Sequence, residues 1–157
     1  MFEDARFYRP MAGTVYRMLP VETHRGCPFQ CSYCNSPAQS RLYKSEGAGV
    51  FLRKKAISKV REELEYYISG YGAEYFYFWA DTFFAYTDRE FDEFIEMYKD
   101  IRVPFWCQTR PETITEERVK RLKNVGLHRM ALGIEHGNEK FRREIINRKV
   151  KNEVIVN

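Results

Sequence analysis

The chain has 157 residues, a formal net charge of +4, and hydrophobic and charged fractions of 44% and 31%. This length suits one domain, and no apolar run approaches the ~18 residues that a transmembrane helix needs. Residues 1–6 lack the basic-then-apolar pattern of a secretory signal, so we expect a cytoplasmic protein with no membrane partner and with reduced thiols instead of disulfides.

Basic residues cluster at three places in the chain. They occur at residues 53–55, at 118–123 and from Arg142 to Lys151, and acidic residues are interleaved with most of them. This patterning favours solvated helix faces. A nucleic-acid partner is the alternative, although no combined aromatic and basic binding motif supports one.

The first half of the chain predicts two strands separated by a helix. Residues 14–22 alternate between apolar and polar side chains and lead into a loop that contains three cysteines. From residue 53 to residue 68 the apolar side chains recur at helical spacing, and Gly70 and Gly72 are expected to end this helix. The nearly continuous aromatic run at 73–81 predicts a strand that is buried on both faces.

The next segment predicts a helix, a strand and a second helix. Residues 87–90 form a capping box that opens the first helix, and residues 103–109 predict a short strand. Thr113 or Thr115 caps the following helix, which ends at Gly126.

The last part of the chain continues the alternation. Residues 128–135 predict a fourth strand, Asn138 is expected to cap the next helix, and residues 153–157 predict the start of a fifth strand. Strands that alternate with helices indicate βαβ units, a parallel sheet and right-handed crossovers. A complete eight-fold barrel needs ~250 residues. The predicted fold class is therefore α/β, either a partial (β/α) barrel or an open sheet with outer helices, and we expect it to be part of a longer protein because a terminal strand leaves an unpaired edge.

Polar side chains follow four consecutive predicted strands. The cysteine loop follows the first strand, Asp81 ends the second, Gln108 and Arg110 end the third, and Glu135 ends the fourth. Because the carboxyl ends of parallel strands share one edge of the sheet, we expect these residues to form one site.

The cysteine loop contains three of the four cysteines. Cys27, Cys31 and Cys34 are separated by gaps of three and two residues, and clustered thiols in a cytosolic protein indicate a metal or catalytic site. Structural zinc and most iron–sulfur clusters need a fourth protein ligand, whereas three cysteines leave one coordination position open, as in catalytic zinc sites. The candidates for a fourth ligand are Cys107, His24 and His128.

The Cys-x3-Cys-x2-Cys run, with Tyr33 directly before its last cysteine, resembles the signature of the radical S-adenosylmethionine (SAM) superfamily. The resemblance implies a [4Fe–4S] cluster that is held by Cys27, Cys31 and Cys34 and whose fourth iron binds the amino and carboxylate groups of SAM. It implies reductive cleavage of SAM to methionine and a 5′-deoxyadenosyl radical, with an electron donor such as flavodoxin or ferredoxin as partner. In such enzymes the cofactors carry the chemistry and the protein orients and shields them.

Further segments resemble the same family in the same order. Residues 133–148 are similar to the segment in which Glu135 meets the SAM ribose, with Gly133 beside it in the cofactor site. A carboxylate that accepts from ribose hydroxyls is familiar from dinucleotide sites. Arg148 resembles an arginine near the SAM carboxylate, and Tyr33 is expected to pack near the adenine.

The resemblance also covers the second and third strand ends. Gln108 and Arg110 lie in a segment that faces SAM or substrate in the family. Asp81 and Thr82 stand where many relatives have a Gly-Gly-Glu run that binds the SAM amino group, so this chain departs from the family there. Cys107 is then expected to be an ordinary buried thiol.

Residues 2–28 resemble the linker and first strand of the cobalamin-binding class, in which an upstream Rossmann-like domain holds cobalamin. We therefore expect a linker-like N-terminal segment, residues 1–13, and a radical SAM partial-barrel core, residues 14–157, that is incomplete at its C-terminus. The family barrel has about six βα units, of which this chain would hold about four and a half. The class implies methyl transfer or a related modification of an unidentified substrate, with cobalamin as a further cofactor.

Two alternatives remain open from the sequence. The chain could be a zinc-binding structural or nucleic-acid module, with one of the candidate fourth ligands completing the site. It could also be an inactive cluster-binding fragment that keeps the motif without closing a site.

Overall fold

The computed structural model describes residues 7–156. The strands are Tyr8–Met11 (β1), Thr14–Glu22 (β2), His24–Arg25 (β3), Arg53–Lys54 (β4), Tyr75–Trp79 (β5), Phe105–Thr109 (β6) and Leu127–Leu132 (β7). The helices are Ser36–Ser45 (α1), Ile57–Tyr71 (α2), Asp88–Ile101 (α3), Glu116–Val125 (α4), Glu139–Glu144 (α5) and Asn152–Val156 (α6), with 3₁₀ turns at Phe83–Ala85 and Pro111–Thr113.

The main sheet has the strand order β1-β2-β5-β6-β7 and curls into a half-barrel with helices outside it. Strands β2, β5, β6 and β7 are parallel, whereas β1 is antiparallel to β2. Strands β3 and β4 form a separate antiparallel ribbon. The prediction of an α/β fold with a partial (β/α) barrel is thus confirmed.

The four predicted parallel strands are confirmed, and so are the helix caps between them. Three of these strands are shorter than predicted, because their first or last residues belong to loops. The Thr87 backbone N–H donates to Glu90 Oε2 at 2.7 Å, and the Glu90 N–H donates to Thr87 Oγ1 at 3.3 Å, which completes the capping box of α3. Thr115, the second of the two candidates, caps α4, and Asn138 caps α5.

The predicted helix over residues 53–68 is wrong at its start. Arg53–Lys54 forms β4 against β3, and α2 begins four residues later at Ile57 than the periodicity suggested. At the other end, Gly70 lies inside α2, and Gly72 ends it with a left-handed φ of 61°. A strand of two residues is too short to show the side-chain alternation by which strands are predicted. Pairing with the distant strand β3 therefore decides its structure, and not the helical spacing of the residues that follow.

The predicted fifth strand is also wrong, because Asn152–Val156 forms the short helix α6. Asn157 lies outside the described residues. The Asn152 N–H donates to Glu139 Oε2 at 2.7 Å, and Asn152 Oδ1 accepts from Arg142 Nη2 at 2.5 Å. A short apolar run does not distinguish strand from helix by itself, and these two contacts to α5 decide the outcome.

The predicted linker-like segment, residues 1–13, contains β1 in its described part. Tyr8 pairs with Arg17 and Met11 pairs with Thr14 across a turn at residues 12–13, so this segment adds an edge strand to the sheet. Residues 1–6 lie outside the described part of the chain, and the division at residue 13 stays a prediction.

The core lies between the sheet and helices α2, α3 and α4. Phe78 is fully buried, and its ring lies 5.1–5.7 Å from the rings of Phe83, Phe94, Tyr98 and Phe105. The opposite face of β5 is less buried than predicted, because Trp79 is 54% exposed there. The sheet therefore packs its convex face against the helices and leaves its concave face partly open.

Many cations of the predicted basic clusters form ion pairs with acidic side chains on helices α2 to α4. These pairs include Lys54–Glu90, Lys55–Glu63, Arg118–Asp88 and Arg121–Asp92. This pairing supports the interpretation of the clusters as solvated faces. No helix within residues 7–156 combines the length and apolarity that crossing a membrane requires.

The burial of β5 leads to a stability prediction. Replacing Phe78 with alanine removes a ring from a closed aromatic cluster, so the free energy of unfolding should fall by about 3–5 kcal/mol. Trp79→Ala, on the exposed face of the same strand, should cost much less. Urea unfolding followed by circular dichroism measures both values, and equal losses would contradict the described core.

Candidate active site

A cavity of about 340 Å³ opens at the carboxyl ends of the parallel strands, a volume within the ~300–1,000 Å³ range of small-molecule pockets. The residues predicted for the site all line it: Cys27, Cys31, Tyr33, Cys34, Asp81, Gln108, Arg110, Gly133, Glu135 and Arg148. It is also lined by Ser36, Thr82, Thr109, Ala131 and Leu132. The structure thus brings the predicted residues together, while their roles as ligands stay predictions.

The cysteine loop leaves β3 through a glycine that no other residue can replace without strain. Gly26 has a φ of 91°, and a Cβ atom there would lie 2.5 Å from the backbone oxygen of Phe51. The loop therefore runs tightly under the segment that precedes β4. It then turns, with the Cys34 N–H donating to Cys31 O at 3.2 Å, directly before α1.

The C-terminal segment holds the cysteine loop from the other side. The Ser32 N–H donates to Ile146 O at 3.0 Å, and the Ser32 hydroxyl donates to Ile145 O at 2.5 Å. Asn147 Nδ2 donates to Gln30 O at 2.7 Å. These contacts join positions more than 110 residues apart in the chain, so the loop is fixed by tertiary structure and not only by its own turn.

The three thiols of the loop are free and differ in their surroundings. Cys31 is buried, and its Sγ accepts from Arg110 Nη1 at 3.1 Å. Cys27 is half-buried, which raises the pKa of its thiol. Cys34 is exposed, and its Sγ accepts from the Ser36 backbone N–H at 3.4 Å.

These thiols line one cavity without converging on one point. Within residues 7–156, no three His, Cys, Asp or Glu side chains come close enough together to hold a single metal ion. Tetrahedral zinc needs four ligands around one ion, so this arrangement does not fit it. The cysteines of an iron–sulfur cluster bind different irons, and separate thiols that face a common cavity fit that group.

The candidates for a fourth ligand do not line the cavity. His24 is buried with Nε2 2.8 Å from Thr82 O, and burial lowers the pKa of its ring. His128 lies in the first half of β7, away from the cavity, with Nδ1 3.1 Å from the Tyr75 hydroxyl. Cys107 is fully buried, burial raises the pKa of its thiol to about 12, and the prediction of an ordinary core thiol is confirmed.

Four charged side chains of alternating sign form a network beside the cavity: Arg110, Arg148 and Glu135 line it, whereas Glu112 joins the two arginines without lining it. Arg110 Nε donates to Glu112 Oε1 at 2.7 Å. Arg148 Nη2 lies 3.7 Å from Glu112 Oε2, and Arg148 Nη1 donates to Glu135 Oε1 at 3.1 Å. Both arginines are buried, and buried charges need such partners because their desolvation is costly.

Glu112, which pairs with both arginines, was not among the predicted site residues. Pro111 begins a 3₁₀ turn that folds Glu112 back towards Arg110, so the signal in the sequence is an Arg-Pro-Glu order directly after a strand. Glu112 Oε2 and Arg148 Nε are buried without a hydrogen-bond partner. Such orphaned atoms are uncommon in proteins, and here the 3.7 Å ion pair between Glu112 Oε2 and Arg148 Nη2 offsets part of the cost of burial.

Gly133 makes room for the Glu135 carboxylate. A Cβ atom on Gly133 would lie 2.6 Å from Glu135 Oε1 and 3.4 Å from Arg148 Nη1. Glu135 does not end β7 as predicted but follows it by three residues, with a left-handed φ of 69°. Tyr33 as a whole residue is 58% exposed. Partial burial of its hydroxyl and the neighbouring Glu135 carboxylate raise the pKa of that hydroxyl to about 12, so it stays protonated.

The two remaining predicted residues lie on the rim near β5 and β6. Gln108 belongs to β6, and its Nε2 donates to the carbonyl of Ala80 at 3.1 Å, which fixes the orientation of its amide. Asp81 follows β5 by two residues and is exposed. Thr82, next to it, is buried, and its Oγ1 lies 3.7 Å from Cys27 Sγ.

Comparison with protein families gives one match over most of the chain. The family model described as the Radical SAM superfamily matches residues 21–157. An uncharacterized methyltransferase of Pyrococcus horikoshii, PH0819, is 29% identical over 122 residues, which cover 77% of this chain and 25% of the relative.

Solved structures of the radical SAM methyltransferase TsrM from Kitasatospora setae share the fold. The form with cobalamin and a [4Fe–4S] cluster has a TM-score of 0.59 at 14% identity and covers 81% of this chain and 24% of that one. The form with tryptophan and the SAM analogue aza-SAM has a TM-score of 0.63 at 15% identity, with 80% and 23% covered. The chain thus spans about a quarter of the length of these relatives.

The role of Gly26 can be tested against a second glycine with similar backbone geometry. Gly49 has a φ of 85°, but a Cβ atom added there would meet no atom within 4 Å, so Gly49→Ala should cost only the ~1–2 kcal/mol of a left-handed alanine. Gly26→Ala adds the clash with Phe51, so it should lose more stability and expose the Cys31 thiol to alkylation. Equal unfolding free energies and unchanged thiol reactivity in the two variants would contradict this geometry.

Proposed function

Because this chain belongs to the radical SAM superfamily, a family of enzymes, we propose that it forms the part of such an enzyme that holds a [4Fe–4S] cluster and SAM. The observation that carries the proposal is the cavity itself. Three free thiols and the strand-end residues expected to hold SAM line the same space, in the region that the family model matches.

In this proposal Cys27, Cys31 and Cys34 bind three irons of the cluster as thiolates. A bound, reduced cluster would supply the one electron needed to cleave SAM to methionine and a 5′-deoxyadenosyl radical. Because the set has three cysteines, one iron would lack a protein ligand and would be open to the amino and carboxylate groups of SAM. Burial of Cys31 and partial burial of Cys27 keep water away from two of the three ligands, which is how a protein shell controls cluster reactivity.

The remaining residues of the cavity would hold SAM. Glu135 accepts from the ribose hydroxyls, and Tyr33 packs its exposed ring near the adenine while its protonated hydroxyl stays beside the carboxylate of Glu135. Asp81, which is exposed on the rim, meets the amino group. Gln108 and Arg148 are secondary contacts whose own side chains are already oriented by protein partners.

We also propose a reaction for the whole protein. A relative of this chain is named a methyltransferase, and TsrM is a radical SAM methyltransferase that binds cobalamin. Methyl transfer or a related modification is therefore the proposed reaction, with cobalamin held outside the residues described here. A flavodoxin or ferredoxin is the proposed electron donor.

The first test is anaerobic reconstitution with iron and sulfide. The wild-type protein should take up a [4Fe–4S] cluster, seen as a broad visible absorption, and should cleave SAM after reduction. Cys31→Ala removes one of three ligands and should abolish both the stable cluster and SAM cleavage. Cys107→Ala is the matched control, because Cys107 is a buried core thiol, and it should keep the cluster with a modest loss of stability.

Two results would contradict the proposal. A colourless protein that contains one zinc and no sulfide would favour the zinc module. A cluster that forms without any SAM binding or cleavage would favour the inactive fragment.

The close approach of Gly133 to the Glu135 carboxylate gives a second test. In Gly133→Ala the new methyl group displaces the Glu135 carboxylate, which sits at the end of a flexible side chain, so the fold should persist while SAM affinity falls. Hydrogen bonds to charged groups contribute about 1.5–3 kcal/mol, so the dissociation constant should rise about tenfold or more. Equilibrium dialysis with the reconstituted protein measures this change.

Gly137→Ala is the control for this variant, because no atom lies within 4 Å of a Cβ atom there. It should leave SAM affinity unchanged. If both variants bind SAM as the wild type does, Glu135 does not hold the ribose.

A further inference from the structure

The strongest unexplained contact in the cavity joins Arg110 to the sulfur of Cys31. Arg110 Nη1 donates to Cys31 Sγ at 3.1 Å, and both residues are buried. The expectation for Arg110 was a contact with SAM or substrate. The structure instead directs its guanidinium at the middle cysteine of the loop.

The guanidinium is held on three sides. Its plane lies over the Phe29 ring, with 3.7 Å between the central carbon and the ring centroid. Its Nε and Nη2 both donate to Glu112 Oε1. Its Nη1 is left for the sulfur of Cys31, and the Arg110 side chain is only 9% exposed.

The backbone keeps this side chain in place. Arg110 directly follows β6, and its carbonyl accepts from the N–H of Thr113 at 3.0 Å and from the Thr113 hydroxyl at 2.7 Å. Phe29 lies between Cys27 and Cys31 in the sequence, so the stacking partner and the sulfur belong to the same loop. Arg110 therefore contacts the cysteine loop at two residues from the end of β6, the third parallel strand.

The other two sulfurs do not receive such a donor. Among the contacts of the described residues, Cys34 Sγ accepts from a neutral backbone N–H, and Cys27 Sγ lies 3.7 Å from the hydroxyl of Thr82. The cationic donor is thus specific to Cys31. The hydrogen bond from Arg110 to Cys31 is also buried, and charge interactions are stronger there than in water.

We propose that Arg110 is a positioning residue that tunes the cluster through the sulfur of Cys31. The proposal rests on the proposed function, because it assumes that Cys31 binds an iron of the cluster. A cationic N–H donor withdraws electron density from a thiolate and stabilises the reduced cluster, so it raises the reduction potential. Glu112 fixes the guanidinium, so the donor stays aligned with the sulfur in both oxidation states.

The decisive measurement is the midpoint potential of the reconstituted protein without SAM. An electrode supplies one electron through mediators and takes the cluster from the 2+ to the 1+ state, and the reduced form is counted by electron paramagnetic resonance. Arg110→Gln, with full iron and sulfide content, should have a more negative midpoint potential than the wild type. Arg110→Lys keeps a cationic donor without the fork, and its potential should lie between those of the wild type and the glutamine variant.

The matched control is Arg118→Gln. Arg118 also lies over a phenylalanine ring, 4.8 Å from the centroid of Phe91, and pairs with Asp88 at 2.6 Å, but it does not line the cavity. This variant should lose stability and keep the wild-type potential. A purely structural role of Arg110 would change stability in the same way and would not move the potential.

The outcomes separate this proposal from the proposed function. If the wild type forms no cluster, both are overturned. If the wild-type cluster forms and the two Arg110 variants keep its potential, only the tuning role is overturned. If the Arg110 variants keep the wild-type potential and bind SAM more weakly, Arg110 contacts SAM and does not tune the cluster. If their potential shifts while their SAM affinity stays at the wild-type value, the tuning role is supported. If Arg110→Gln cannot hold a cluster, the lysine variant decides, because its potential either shifts or does not.

Discussion

The arrangement of the cavity depends on the ion pairs and hydrogen bonds of the buried Arg148 guanidinium. Only 2% of Arg148 is exposed, and a buried charge must find counter-charges or it destabilises the fold. It finds them on two different strand ends, with Glu135 at 3.1 Å and Glu112 at 3.7 Å, and it also donates to Gly133 O at 2.5 Å. The Tyr33 hydroxyl of the cysteine loop lies 3.5 Å from the same guanidinium. Satisfying one cation therefore brings the cysteine loop and the ends of β6 and β7 to one place.

This arrangement requires the chain after β7 to return to the cavity. Arg142 enforces the return, since it is fully buried and donates to His136 O at 2.5 Å and to Val150 O at 3.2 Å. Between those carbonyls lies the segment that receives the Ser32 N–H at Ile146 and carries Arg148. The C-terminal segment is thus a clamp on the cysteine loop as well as a source of charge. Anchors at both sides restrict the loop, so in the proposed cluster site its three thiols would bind without a further ordering cost.

Local signals in the sequence explain which parts could be predicted. The capping box at Thr87 and the apolar strand bodies are encoded within a few residues. The carboxyl ends of parallel strands must share an edge, so the cysteine loop and the polar residues at the ends of the next three strands followed from strand order. The places of Tyr33, Gly133 and Arg148 were predicted only from the family resemblance. The segments that could not be predicted depend on distant partners. The ribbon strand Arg53–Lys54 exists only through pairing with β3, and α6 starts where Arg142 and Glu139 bind Asn152. Glu112 has no spacing signal of its own, and its role appears only when two strand ends lie side by side.

The two arginines of the cavity differ in a way that the family resemblance did not predict. Arg110 was expected to face SAM or substrate and Arg148 to lie near the SAM carboxylate, and the motif order alone gives no reason to separate them. Both pair with the Glu112 carboxylate, but Arg148 also donates to Glu135 and to the Gly133 carbonyl, whereas Arg110 also donates to the sulfur of Cys31. Glu112 lies between them and offsets part of each charge, so neither arginine presents a full positive charge to the cavity. A wall built in this way presents directed N–H groups with little net charge. Directed donors act at the atoms they touch, so Arg110 acts on the side of the cavity that contains Cys31, whereas Arg148 orders the side that contains Glu135.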